Sequence, residues 1–241
     1  MSHDDGGDAP TLGGLADLLR RNREWTDDLP DDYFEGVRDS QSPGVVSVCC
    51  SDSRVSQEGM FGASGDAGSL FTPSSIGNKV IAIVGGERAV DGSFQYGLAH
   101  AGAAAGVVVG HTGCGAIATA YTIATGEDPD LAPGIAQEVA PVVETVEAAL
   151  DGGAVDTDAT DREVVNRLVE YNVDAQIDFL RGSEVVAEET DLYGFVYDFQ
   201  GAYGDVDGRT VLVNVDGETD PDALREEVPT GDEEFVGRLL E

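Results

Sequence analysis

Residues 106–111, GVVVGH, form an unbroken β-branched run between glycines, with no polar side chain before the terminal histidine. A strand with one wet face alternates apolar and polar residues. A continuous apolar run instead fits a strand buried on both faces, the usual condition in a parallel sheet. A second such run, VVSVCC at residues 45–50, follows the Pro-Gly punctuation of residues 41–44. Parallel neighbours need long crossover connections, and the sequence contains candidates. Helical spacing appears at residues 93–103 and 112–126. It recurs in two long amphipathic stretches, 132–150 and 160–182, the second with an N-cap at Thr160 or Asp161.

The remaining pattern extends this reading. Residues 11–29 read as a helix with apolar positions at Leu12, Leu15, Leu18, Leu19 and Trp25, and a second short helix is expected over 31–39. LFTPS at 70–74 reads as a short strand, and KVIAIVGG at 79–86 as strand or loop. YGFVYDFQ and TVLVNV read as late, antiparallel neighbours, and the last nine residues as a short helix. Strands alternating with helices predict an α/β fold, a mostly parallel central sheet flanked by helices. Residues 1–40 are expected to form a disordered start and a helical arm, and 41–241 an α/β domain with an acidic tail.

Charge narrows the partners. Asp and Glu total 47 against 13 Lys and Arg, a formal net charge of −34. Nucleic acid and anionic membranes would be repelled. The hydrophobic share of 41% falls in periodic runs, which argues against disorder and for a folded, densely carboxylated surface. Such a surface suits high salt, where counterions screen the self-repulsion, so a halophilic protein is expected. The first ten residues lack the basic and apolar regions of a signal peptide, and no apolar stretch approaches the roughly 18 residues of a membrane span. Three cysteines, two of them adjacent, make no disulfide framework. A reducing cytoplasm is the expected compartment.

Both buried-type strands run into polar clusters, CCSDSR and HTGC. In open α/β sheets, sites form beyond the carboxyl ends of the strands where strand order reverses, so the two clusters have reason to share one site. His111 and Cys114 make an HxxC pair across a glycine-bearing turn, and zinc favours thiolate and imidazole ligands. A third ligand must come from Cys49 or Cys50, which point to opposite faces of a strand. The plain alternative is that the cysteines are small packed hydrophobes. Asp52 and Arg54, two apart, suit either a bidentate pair serving the site or an ordinary structural salt bridge.

The motif Cys50-Ser51-Asp52-Ser53-Arg54, followed by His111-Thr112-Gly113-Cys114, closely resembles the β-class carbonic anhydrases. The likeness runs from about Gln41 to Val213 and includes the SFQYGLAH and NVDAQIDFL helices and the LYGFVYD strand. It implies a Zn2+ ion held by Cys50, His111 and Cys114, and hydration of CO2 to bicarbonate by attack of zinc-bound hydroxide. Asp52 and Arg54 match the family's Asp–Arg dyad. Gln41 matches a substrate-binding glutamine of the plant-like branch, and Phe71, Ile76 and Tyr96 fall where that branch lines its CO2 pocket. The resemblance also implies a homodimer or higher oligomer with sites at the subunit interface, the N-terminal helices forming an arm around the partner subunit. Family members usually carry an Arg-Asn pair where this chain has Ser74-Ser75, and one branch has a tryptophan where Ser47 stands. A regulatory bicarbonate site built on that arginine is therefore not expected, and an open centre with water as fourth ligand is. Rival readings are the same fold hydrolysing CS2 or COS, and a non-catalytic zinc- or bicarbonate-binding module.

Overall fold

A computed structural model describes residues 13–240. The expected disorder of residues 1–10 and the first two residues of the first expected helix, 11 and 12, lie outside them. In chain order the elements are α1 (Leu15–Asp28), β1 (Val45–Cys50), α2 (Gln57–Met60), β2 (Leu70–Phe71), β3 (Ser74–Ser75), β4 (Ile81–Val84) and β5 (Glu87–Val90). There follow α3 (Gly92–Ala99), β6 (Ala105–His111), α4 (Gly115–Ala124), α5 (Pro133–Asp151), α6 (Asp161–Arg181), β7 (Asp191–Asp198), β8 (Arg209–Val215) and α7 (Pro221–Glu227).

The main sheet has the order β2-β1-β6-β7-β8, with β3 also on β1, beyond β2. All its pairs are parallel except β7 with β8, as the sequence predicts. Every residue of β6 is buried, the outcome of an apolar run at the centre of a two-sided sheet. One face is thick: Val46, Val48 and Val108 pack in a core with Phe94 of α3, Ile117 of α4, Val142 of α5 and Leu168, Val169 and Val173 of α6. The other face is thin, with Cys49, Val107 and Val109 beneath the half-buried Met60, Tyr193, Phe195 and Tyr197. Thr160 caps α6 in a reciprocal box with Glu163, satisfying two otherwise orphaned backbone donors.

Two local expectations are corrected, at residues 31–39 and at the last residues, and one open reading, at 79–86, is resolved. Residues 31–39 are not a helix but successive turns, with three-residue bonds Tyr33 N–H to Pro30 O and Val37 N–H to Phe34 O. Gly36, at φ +85°, breaks any helical path there. Residues 79–86 yield a strand, β4, which turns at Gly85-Gly86 into β5 as a separate hairpin. The last residues form only a 3-10 turn at Glu233–Phe235. Beyond it the chain runs extended, Val236 bridging Leu212 of β8 and the Leu239 and Leu240 N–H groups donating to Glu170 on α6.

Candidate metal centre

β1 and β6 are parallel neighbours, Cys49 standing beside Val109, so their carboxyl ends deliver Cys50 and His111 to the same place. Cys114 follows on the turn that opens α4, as that helix's N-cap. The strand pleat separates the adjacent cysteines: Cys50 joins the thick core with Val46 and Val48, while Cys49 joins Val107 and Val109 on the opposite face. Alternation along a strand therefore decides which cysteine meets His111.

The ligand-type atoms of Cys50, His111 and Cys114 lie within 4.8 Å of one another. The Cys50 and Cys114 sulfurs are 3.9 Å apart, and exposures are 7%, 0% and 0%. The Nδ1 of His111 faces the carbonyl oxygen of Thr112 at 3.0 Å. That contact makes Nδ1 the protonated nitrogen and leaves Nε2 with a lone pair. Nε2 is buried and has no hydrogen-bond partner, a costly state for a polar atom. An orphaned imidazole nitrogen facing two thiols is the donor set of a three-ligand zinc site with one open position.

The thiols are electrostatically asymmetric. The neighbouring Cys114 thiol, aided by His111 and the Gly77 N–H, lowers the pKa of Cys50; the bond to Cys50, with burial, raises that of Cys114. Burial pushes Cys49 up to about 11, as befits a packed thiol rather than a ligand.

Asp52 and Arg54 pair beyond the end of β1, not along it. The backbone N–H of Arg54 donates to Asp52 Oδ1 at 2.9 Å in a tight turn. Its Nε reaches the same oxygen at 2.8 Å, and Nη2 reaches Oδ2 at 2.6 Å. The Arg54 guanidinium holds the Asp52 carboxyl far below the usual range, against the opposing effect of burial. Arg54 also donates to the Gly113 carbonyl at 3.2 Å and lies over the Phe199 ring, 4.7 Å from its centroid. Asp52 Oδ2 is 3.8 Å from His111 Nε2, which brings the dyad against the three ligand-type residues.

Several supporting residues escape a reading by motif. Asn166 Oδ1 accepts from the Gly113 N–H at 2.9 Å, so both sides of this residue are pinned. Gly113 sits at φ +65°, where an added Cβ would collide with Gln200. The Thr112 hydroxyl donates to the buried Asp198 at 3.2 Å and accepts from the Phe199 N–H at 3.1 Å. An inward-facing Asn on the amphipathic helix at 160–182 was the available signal, but nothing local names its partner.

The expected substrate residues divide. Ile76 follows Ser75, which pairs with Cys50, and so lies beside the site. Phe71 pairs with Val46 at the other end of β1, four residues from Cys50, or about 13 Å at ~3.3 Å per residue. Tyr96 stacks on Phe71 with centroids 5.9 Å apart, and Gln41 precedes the start of the same strand. Within one chain these three are not brought to the ligands.

A family model described as carbonic anhydrase matches residues 45–203. A Pseudomonas aeruginosa protein named carbonic anhydrase is 31% identical over 183 residues, covering 73% of this chain and 79% of its own. Among solved structures, Coccomyxa β-carbonic anhydrase in complex with acetazolamide is similar at TM-score 0.62 and 25% identity, over 79% of this chain and 83% of that one. One of two structures described as tetrameric β-carbonic anhydrases from the ascomycete Sordaria macrospora is similar at TM-score 0.64 and 21% identity, over 82% and 95%.

Proposed function

The chain belongs to the β class of the carbonic anhydrase family and is an enzyme of that family, and on that premise we propose that it interconverts CO2 and bicarbonate at a zinc ion held by Cys50, His111 and Cys114. The observation that carries the reading is the buried, partnerless Nε2 of His111 facing two thiols. Zinc, when bound, supplies a Lewis acid that makes a water nucleophilic near neutral pH.

The chain's own residues do the rest. Asp52, kept ionised by Arg54, accepts a hydrogen bond at Oδ2 and so orients the nucleophile's lone pair toward CO2. Arg54 keeps that carboxylate in place because its guanidinium is itself anchored by the Gly113 carbonyl and the Phe199 ring. With both Asp52 oxygens engaged by Arg54, the carboxylate is held back from the three ligand-type residues, which supports an open centre in which Asp52 would not itself be a ligand. Ile76 offers an apolar wall beside Cys50. Phe71 and Tyr96 stack at the far end of β1 and Gln41 precedes that strand, an arrangement that suits a homodimer or higher oligomer in which a second copy brings them to the site. The Sordaria macrospora proteins are described as tetrameric. Among the described residues no helix is long and apolar enough to cross a membrane. A cytoplasmic, halophilic enzyme agrees with reduced thiols and a net charge of −34.

Metal analysis joined to a stopped-flow CO2 hydration assay in molar KCl tests the reading. Stoichiometric zinc with fast hydration is the expected result. Stoichiometric zinc with negligible hydration refutes it, and turnover of COS or CS2 in parallel would then point to the rival substrates.

A further inference from the structure

The two thiols receive different support. Cys114 is the N-cap of its own helix, where the Ile117 and Ala116 N–H groups act to lower its pKa. Cys50 stands beside Ser75 of β3, and the Gly77 N–H that lowers its pKa belongs to the 3-10 turn that follows, Ile76–Asn78, with Gly77 at φ +74°. The Ser75 hydroxyl closes the turn by donating to the Lys79 carbonyl at 3.0 Å, and α6 grips it from outside. Asn172 Nδ2 donates to the Gly77 carbonyl at 3.0 Å. Gln176, one helical turn on, donates from Nε2 to Asn172 Oδ1 at 3.2 Å and accepts the Val80 N–H at its own Oε1 at 2.8 Å. Both amides are fully buried. Two side chains spaced i, i+4 on one helix face thus hold both ends of the turn that presses on Cys50.

We propose that Asn172, braced by Gln176, is a positioning residue for the metal centre: it fixes the Gly77 residue so that its N–H stays on the Cys50 sulfur. An N–H bond on a thiolate withdraws electron density, so the sulfur donates less to a bound metal and the metal stays more electrophilic. Groups outside the ligand set tune metal sites in this way, and their loss typically costs 10–100-fold in affinity or activity. Neither Asn172 nor Gln176 touches a ligand, and both act through the Gly77 backbone. The inference rests on the metal-centre reading above.

The test loads cobalt(II) in place of zinc and reads the thiolate-to-metal charge-transfer absorption. Asn172→Leu, and Asn172→Ser should the larger apolar residue fail to fold, should move that band to lower energy as the Cys50 sulfur becomes more donating. Either should also lower kcat about tenfold with KM little changed. Gln176→Met should give a smaller shift in the same direction. Asn214→Ser is the control: this buried amide on β8 bonds Asp174, away from the ligands, and its loss should lower thermal stability without moving the band. A folded, cobalt-loaded Asn172 variant with the wild-type spectrum overturns the proposal, as does an equal shift in Asn214→Ser. Wild-type protein that takes up no stoichiometric cobalt overturns the metal-centre reading itself.

Discussion

Two neighbouring cysteines end on opposite sides of a sheet, and their substitutions should separate cleanly. Cys50→Ser should reduce bound zinc well below one per chain and abolish hydration, measured by metal analysis and stopped flow. Cys49→Ser should keep zinc and activity but cost about 1–3 kcal/mol of stability, because it places a hydroxyl among Val107 and Val109. Asp52→Ala should leave zinc bound while kcat falls by about 10²–10⁴, the usual range for a positioned proton acceptor. Asp52 also carries a stability consequence with a definite sign. Its folded pKa is depressed, so its stabilising share is fully present above the ordinary Asp value near 3.9. That share is lost only as pH falls through the lower folded value, in strong acid. Between pH 5 and 9 the dyad should therefore add no slope to a plot of unfolding free energy against pH, and Asp52→Asn should leave that plot's shape unchanged. At this scale the sequence was informative for Cys50, His111 and Cys114, because ligand chemistry leaves a dense local motif. It was silent on Asn166 and Asn172, whose partners Gly113 and Gly77 are distant in sequence and meet them only through packing of α6.

Elements differ in how far their own sequence determines them. β6 and α6 were readable because a continuous apolar run and a long amphipathic stretch behind an N-cap candidate leave clear patterns, although only the structure chose Thr160 over Asp161 as the cap. The hairpin β4–β5 was not, since its second strand, Glu87–Val90, opens with two charged residues. Residues 31–39 carry helical composition, yet Gly36 and the run of three-residue turns override it. The last residues were misread because their structure is dictated from outside, by β8 and by the buried carboxylate of Glu170. Helix α1 is the opposite case. It forms where expected but buries none of its residues, and Leu15, Leu18, Leu19 and Trp25 all stay exposed. A 14-residue amphipathic helix has little stability alone in water, so its apolar side implies a covering surface, which we assign to a second copy. Removing residues 1–40 should leave the remaining chain folded by circular dichroism but shift its mass by light scattering toward the monomer. Activity should fall with it, since Gln41, Phe71 and Tyr96 would no longer reach a neighbouring site.

Over the whole molecule the excess of carboxylates dominates. At a net charge of −34 the compact state repels itself, and the repulsion is screened over about 10 Å at 0.1 M salt and about 3 Å at 1 M. The unfolding midpoint should rise steeply as KCl increases from 0.1 M toward molar concentrations, and the sedimentation coefficient should stay constant if the oligomer persists. A midpoint independent of salt would remove the halophilic reading while leaving the enzyme assignment intact. The same composition leaves one lysine in the chain, Lys79, with a side chain only 9% exposed and its ammonium 2.9 Å from Glu138 on α5. Lys79 lies between Gly77 and Val80, inside the segment gripped by Asn172 and Gln176. An amine-reactive label can modify that side chain fully only when the segment lifts from the helix. Its rate of incorporation, read by mass spectrometry, thus becomes a single-site clock for local opening beside Cys50, timed without any engineered probe.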